Sequence, residues 1–345
     1  MRRRVLGLAV AAALAAISGA RASAQTQVLI VSGLGGAPQY TKEFGELSER
    51  LSDALRSRYG VADSNATWLG EKADAKLHHY AGESTRENIA AALHRMAARA
   101  RPGDEVVLVL IGHGSGSEAD TKISLPGPDL TAADFESLLA PFARERLAVL
   151  DLTSASGDAL AVFSAPNRVV ITATKSAYER NESHFAGYFV DALTKDGADA
   201  DKDGRVSMLE AFQYATRETE RLYADDSRMQ TEHAQLDDDG DKQGTGAPTG
   251  RSGDGLLARR FFLDAGTSAA VAGNDPRLAA LYAQRFALTD SVEALKLQKP
   301  KLAASAYETE LERLLIALAR KAHEIRGIEG QSPKPNSAVT GGGRP

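Results

Sequence analysis

Apolar and polar positions alternate along the chain in blocks that read as strands and helices in turn. Gln27–Ser32 (QVLIVS) is a short continuous apolar run that ends in the turn Gly33-Leu34-Gly35-Gly36. Phe44, Leu47, Leu51 and Leu55 follow at spacings of three and four, which predicts a helix over Lys42–Tyr59. Ala66–Leu69 reads as a weak second strand. Ser84–Ala100 reads as a helix opened by a Ser84-to-Glu87 capping box. Glu105–Ile111 (EVVLVLI) is the strongest strand signal. It is followed by a helix at Thr131–Phe142 and strands at Arg146–Leu152 and Arg168–Thr174. Helices are expected at His184–Leu193 and Met208–Tyr223, and a last strand at Arg259–Leu263.

Continuous apolar strands alternating with helices mean a mainly parallel sheet covered on both faces. The expectation is therefore an α/β, three-layer sandwich of about six strands. Right-handed crossovers then bring the strand C-termini, and any site built on them, to one edge. Beyond residue 265 the pattern changes. Asp275–Leu297 and Lys301–Gly327 read as two helices around Pro300, the second with an apolar stripe of Tyr307, Leu311, Leu314, Leu315, Leu318, Ala322 and Ile325. Such a stripe packs on the parent domain or on a partner helix.

The ends of the chain differ from this pattern. Arg2–Arg4, the apolar run Val5–Ile17 and Ala22-Ser23-Ala24 have the form of a signal peptide cleaved after Ala24, with a retained anchor as the alternative. The expected organisation is 1–24 signal peptide, 25–265 α/β domain, 266–330 helical segment and 331–345 a disordered Pro/Ser/Gly tail. The protein is expected to be exported, to the periplasm or beyond, with no membrane span after cleavage. Loss of residues 1–24 removes four arginines and no acid, so the formal charge moves from -5 to -9. That acidity argues against nucleic acid or anionic lipid as the main partner. There is no cysteine, which excludes both a disulfide framework and a thiol nucleophile.

Two strand ends carry candidate chemistry. Ile111-Gly112-His113-Gly114-Ser115 holds a histidine between glycines after one strand, and Leu152-Thr153-Ser154-Ala155-Ser156-Gly157 follows the next. Neighbouring strand ends are where a nucleophile and its base would meet. These motifs resemble those of legumain-like and caspase-like cysteine peptidases, which carry His-Gly after one strand and Cys-x-Ser-Gly after the next. His113-Gly114 matches the first motif, and Ser154-Ala155-Ser156-Gly157 matches the second with serine in place of cysteine. Leu125-Pro126, the helix Leu130–Leu139 and Val170–Thr174 resemble the flanking segments, so the likeness spans about Gln27 to Leu263.

The resemblance implies a caspase-like fold and a cleft that takes a peptide or protein segment. In an active site, Ser154 would attack, His113 would be the base, and the amides of Gly114 and Ser154 would hold the oxyanion. A serine hydroxyl needs an oriented base more than a thiol does, since a cysteine already ionises near about pH 8.5. No carboxylate adjoins His113 in sequence; Glu118 and Asp120 are the nearest candidates. The arginine of the legumain acidic-residue pocket has no counterpart here, Tyr40-Thr41 being the nearest match. Ser156 is a second hydroxyl, aligned with a non-nucleophilic position. An inactive, peptide-binding homologue is the preferred reading, and a Ser154–His113 hydrolase the alternative.

Two other motif readings fail on spacing. Gly114 stands where a nucleophile elbow needs its serine, and Gly33-Leu34-Gly35-Gly36 lacks the third glycine of a dinucleotide fingerprint. Asp199–Glu210 (DADKDGRVSMLE) does match a calcium loop. Asp199, Asp201 and Asp203 stand at positions one, three and five, with Gly204 at the turn. The Arg205 carbonyl, Ser207 and Glu210 stand at seven, nine and twelve. Ca2+ is the one cofactor expected, and a calcium-stabilised interaction module, with a protein partner on the C-terminal helices, is the third reading. Asp237-Asp238-Asp239-Gly240-Asp241 lacks the closing glutamate and reads as a solvated loop or a weaker cation site.

Overall fold

The computed structural model describes residues 24–72, 77–264 and 275–329. The expected signal peptide and C-terminal tail fall almost wholly outside these. Strands β1 (Thr26–Ser32), β2 (Ala66–Gly70), β3 (Tyr80–Glu83), β4 (Glu105–Ile111), β8 (Arg146–Asp151), β9 (Arg168–Thr172) and β10 (Gln235–Asp237) form one sheet. Its order is β3-β2-β1-β4-β8-β9-β10, parallel throughout except for β10. The short strands β5 (Gly114–Ser115), β6 (Lys122–Ile123) and β7 (Leu130–Thr131) form a separate antiparallel ribbon above the end of β4.

β4 shows why the sequence folds this way. All seven of its residues are buried. Val107, Val109 and Ile111 enter one core, while Val106, Leu108 and Leu110 enter the other. The first core lies under α1 (Pro38–Ser57), α5 (His184–Thr194) and α6 (Met208–Asp225). The second lies under α2 (Arg86–Ala97), α3 (Ala132–Leu139) and α4 (Leu160–Phe163). The three-layer α/β architecture with a mainly parallel sheet is as the alternation of apolar runs predicts.

The differences are local. The sheet has seven strands rather than six, because Tyr80–Glu83 adds a half-exposed edge strand too short to show in the sequence pattern. The last strand is not Arg259–Leu263. Ala258–Arg260 is a 3-10 turn, and Phe262 makes only a single bridge with Ser207. Phe261 and Leu263 of that run, with Ala258 just before it, fill the core under α6, so tertiary packing takes what reads locally as a strand. β10 takes the edge instead, pairing Gln235 with Thr172. The α2 cap is Thr85, which accepts from the Asn88 amide. Ser84 donates its hydroxyl to the Ser32 carbonyl, tying β3 to the end of β1.

The C-terminal segment is a pair of helices, α7 (Pro276–Gln298) and α8 (Ala304–Glu329). Asp275 caps α7 by accepting from the amides of Arg277 and Leu278. The stripe of α8 packs on α7: Ile325 lies with Leu278, Tyr282 and Phe286, and Leu314 with Val292 and Leu295. Leu315 leaves the stripe and is exposed. The helix pair meets the α/β body where Arg285 donates to the Asp203 carbonyl and Phe286 lies 4.6 Å from the Arg205 guanidinium. No helix among the described residues is long and apolar enough to cross a membrane.

Removing a buried branched side chain from β4 loses its burial and leaves a cavity. Leu108→Ala should lower the unfolding free energy by about 3 kcal/mol in urea melts, with an unchanged far-UV spectrum.

Candidate functional site

β4 pairs in register with β1 on one side and β8 on the other, so all three strands end at one level. β4 delivers His113 to this edge and β8 delivers Ser154. The two glycines around His113 have steric reasons. A Cβ on Gly114 would stand 2.1 Å from the Ser154 carbonyl oxygen, and Gly112 has φ of +154° with Gly33 packed against it.

The two principal residues reach the same edge but do not meet. Ser154 is 3% exposed, and its Oγ accepts a hydrogen bond from the Gly114 amide at 3.2 Å. The Ser154 amide donates to the Gly112 carbonyl at 3.4 Å. Both amides assigned to an oxyanion are therefore engaged within the strand-end contact. The His113 ring packs edge-on against Tyr40 at 4.8 Å and Phe44 at 5.1 Å, both on α1. It has the parity of Ile111, which faces the α1 core. Among the described residues, no hydrogen bond joins the ring to Ser154.

The Ser154 turn is tightly held. Ala155 is fully buried with φ of +56°, a left-handed conformation that costs a residue with a Cβ about 1–2 kcal/mol. Its amide donates to the Glu179 carbonyl at 2.8 Å. Ser156 is completely buried and accepts from the Ala173 amide, which makes it a structural hydroxyl. Asp151 lies at the root of the turn and accepts from the Thr153 amide and hydroxyl. Burial nevertheless pushes its carboxyl up to about 6, against the pull of those two bonds. Glu118 and Asp120 sit on an exposed 3-10 turn, and no contact places either carboxylate at His113.

Two other carboxyl residues share a small cavity with His113. Glu43 of α1 and Glu182 of the loop before α5 line a cavity of about 10 Å³ with His113 and Ser183. Tyr40 donates its hydroxyl to Glu182 at 3.4 Å. Burial, then the Glu182 charge, raises the Glu43 carboxyl above its ordinary range. Glu43, Phe44 and Leu47 also border an open groove of about 1030 Å³ along α1, reaching Gly33, Trp68 and Glu71. A second imidazole lies on the other flank. His233 Nδ1 is 2.5 Å from Glu179 Oε1, on the loop whose carbonyl holds Ala155. None of these pairs has a sequence signature, since Tyr40 and Glu182 are 142 positions apart and Glu179 and His233 are 54.

The acidic loop brings three of its six expected ligand residues together, and Glu210 is not in that group. Asp199, Asp201 and Asp203 present carboxylate oxygens within 4.8 Å of one another. Asp199 accepts from the Asp203 and Gly204 amides, which curls the loop. Lys202 and Gly204 take positive φ, +57° and +88°. Ser207 caps α6, and Glu210 reaches back to the Ser207 amide and hydroxyl and to the Ala200 amide. Burial, then the Asp201 charge, pushes Asp203 up to about 7, the response expected of crowded carboxylates. The oxygen donors and the curled backbone fit a hard divalent cation. The Arg205 side chain leaves the loop, pairs with Asp264 at 2.5 Å and lies 3.5 Å from the Phe262 ring centre. At Asp237, Asp239 and Asp254 the oxygens also converge. There Asp237 is already engaged by the amides of Gly240 and Lys242.

This arrangement is a three-layer α/β protein with a polar strand-end site. No protein-family model matches the chain, and no curated protein matches it. Among solved structures, protein GSU0716 from Geobacter sulfurreducens is similar, with 15% identity and a TM-score of 0.38. The match covers 56% of this chain and 89% of that one.

Asp151 gives the site a pH signature. Its folded carboxyl titrates near about 6, above the ordinary value of 3.8, so its contribution to stability is present at low pH and is lost as pH rises through about 6. Asp151→Asn should therefore melt higher than the wild type at pH 8, and the difference should vanish by pH 4.

Proposed function

We propose that the chain is an exported, caspase-like and legumain-like α/β protein whose strand-end cleft binds a peptide segment without cleaving it. The observation that carries this reading is the contact between the two strand ends. Ser154 Oγ is engaged by the Gly114 amide, while the His113 ring rests against Tyr40 and Phe44. A serine nucleophile needs its proton within reach of an oriented base and free amides for the oxyanion. Here the hydroxyl closes on the amide that would serve it. The groove along α1 shares Glu43, Phe44 and Leu47 with the small His113 cavity, and an extended segment lying in it would run past the His113 strand end. The resemblance of His113-Gly114 and Ser154-Ala155-Ser156-Gly157 to peptidase motifs supports peptide as the ligand class.

A fluorophosphonate probe tests the non-hydrolytic reading directly. Folded protein should stay unlabelled, with a signal no higher than that of Ser154→Ala. Labelling at Ser154 would instead establish the serine-hydrolase alternative.

The convergence of Asp199, Asp201 and Asp203 favours a second, compatible reading in which Ca2+ stabilises the loop that supports α6 and the C-terminal helices. Millimolar Ca2+ should raise the melting temperature by several degrees, and Glu210→Gln should remove most of that rise. A melting curve indifferent to Ca2+ would overturn it.

A further inference from the structure

The strand-end edge that carries His113 and Ser154 carries a second imidazole, His233, beyond β9. β10 runs antiparallel to β9, so the residues just before Gln235 return to the edge where β8 ends in Ser154. His233 is fixed there from several directions. Glu179 Oε1 takes the ring Nδ1, and Glu179 Oε2 takes the His233 amide at 3.0 Å. The preceding residue, Glu232, is buried and caps α5 by accepting from the His184 and Phe185 amides. The following segment pairs with β9.

Glu179 also serves the Ser154 turn. Its carbonyl accepts from Ala155, and its carboxylate accepts from the Lys175 amide. One residue thus joins the turn after β8, the loop after β9 and the imbedded start of β10. A carboxylate only accepts hydrogen bonds, so the proton between the pair sits on Nδ1. The other ring nitrogen, Nε2, then carries a lone pair in neutral histidine. The His233 side chain is 40% exposed, and no hydrogen bond to Nε2 occurs among the described residues. The two loops joined by this pair also carry Tyr178 and Met229, 88% and 87% exposed. Large exposed apolar side chains beside a fixed polar group are the make-up of a recognition surface.

We infer that His233, locked in one tautomer by Glu179, is a recognition residue of this strand-end edge, its Nε2 accepting a hydrogen bond from an N–H group of the bound peptide. Glu179 is a positioning residue that acts through His233. The inference rests on the peptide-binding reading above and names the contact it uses. Of the charged groups nearby in the chain, Glu179 contacts the ring, Lys175 pairs with Glu179, Asp158 holds the loop after β9 by the Ala177 amide, Arg180 donates to the Ala177 carbonyl, and Glu232 caps α5. When the ring is protonated, Nε2 becomes a donor, and the contact with a peptide N–H is lost.

The test uses the full exported chain and an array of unstructured twelve-residue peptides, with the tightest peptide carried into calorimetry. His233→Phe should weaken binding about tenfold at pH 7.5, the loss of one well-oriented hydrogen bond. Glu179→Gln should weaken binding without a change in the peptide sequence preferred. Long-range proton–nitrogen NMR should show Nδ1 protonated and Nε2 bare at pH 8, whether or not peptide is present. An Nε2-protonated tautomer overturns the inference, as does wild-type affinity in His233→Phe. Failure of every peptide to bind the wild type removes the cleft reading itself, and this inference with it.

Discussion

The parallel ladder of β1, β4 and β8 is the constraint on which the site depends. β4 is buried on both faces and paired along its whole length, so neither its register nor the level at which it ends can shift without exposing apolar residues. Because β8 runs parallel to it in register, the residues just past both strands arrive together at one edge. The same pairing brings their backbones so close that position 114 has no room for a Cβ. The small residues at these strand ends thus answer a packing requirement before any chemical one.

That close approach shapes the chemistry. The Gly114 amide meets the Ser154 hydroxyl, and the buried Ala155 turn is clamped by Glu179. The two flanks of the cleft then differ in character. On the His113 side, Tyr40, Phe44, Glu43 and Glu182 make an aromatic and acidic wall. On the other side, Glu179 and His233 make a fixed imidazole–carboxylate pair beside exposed Tyr178 and Met229. The sheet fixes the roots of these loops, while their side chains set the polar character of the edge.

The acidic loop connects the body to the C-terminal helices. Its backbone curl comes from local aspartate–amide bonds, while Arg205 leaves it to reach Asp264, Phe262 and Phe286. Arg285 of α7 returns to the Asp203 carbonyl. A change in the charge balance of the loop would therefore be felt at the middle of α7, through contacts that are partly buried and weakly screened.

Much of the fold was legible in the sequence. Continuous apolar runs of four to seven residues between helical periodicities require a covered parallel sheet, and five of its strands stand where those runs predict. The convergence of Asp199, Asp201 and Asp203 follows from spacing alone, because the contacts that curl the loop lie within about twelve residues. The failures came where local pattern and distant packing compete. Phe261 and Leu263 look like strand residues but fill a core pocket, and Gln235–Asp237 looks like loop but closes the sheet. The site divides in the same way. Sequence placed His113 and Ser154 on consecutive strand ends, yet it could not give the direction of the imidazole, which follows from the face that Ile111 and its strand present to α1. Nor could it pair Tyr40 with Glu182 or Glu179 with His233, since only the packing of helices and loops across the sheet brings such distant residues within hydrogen-bond reach.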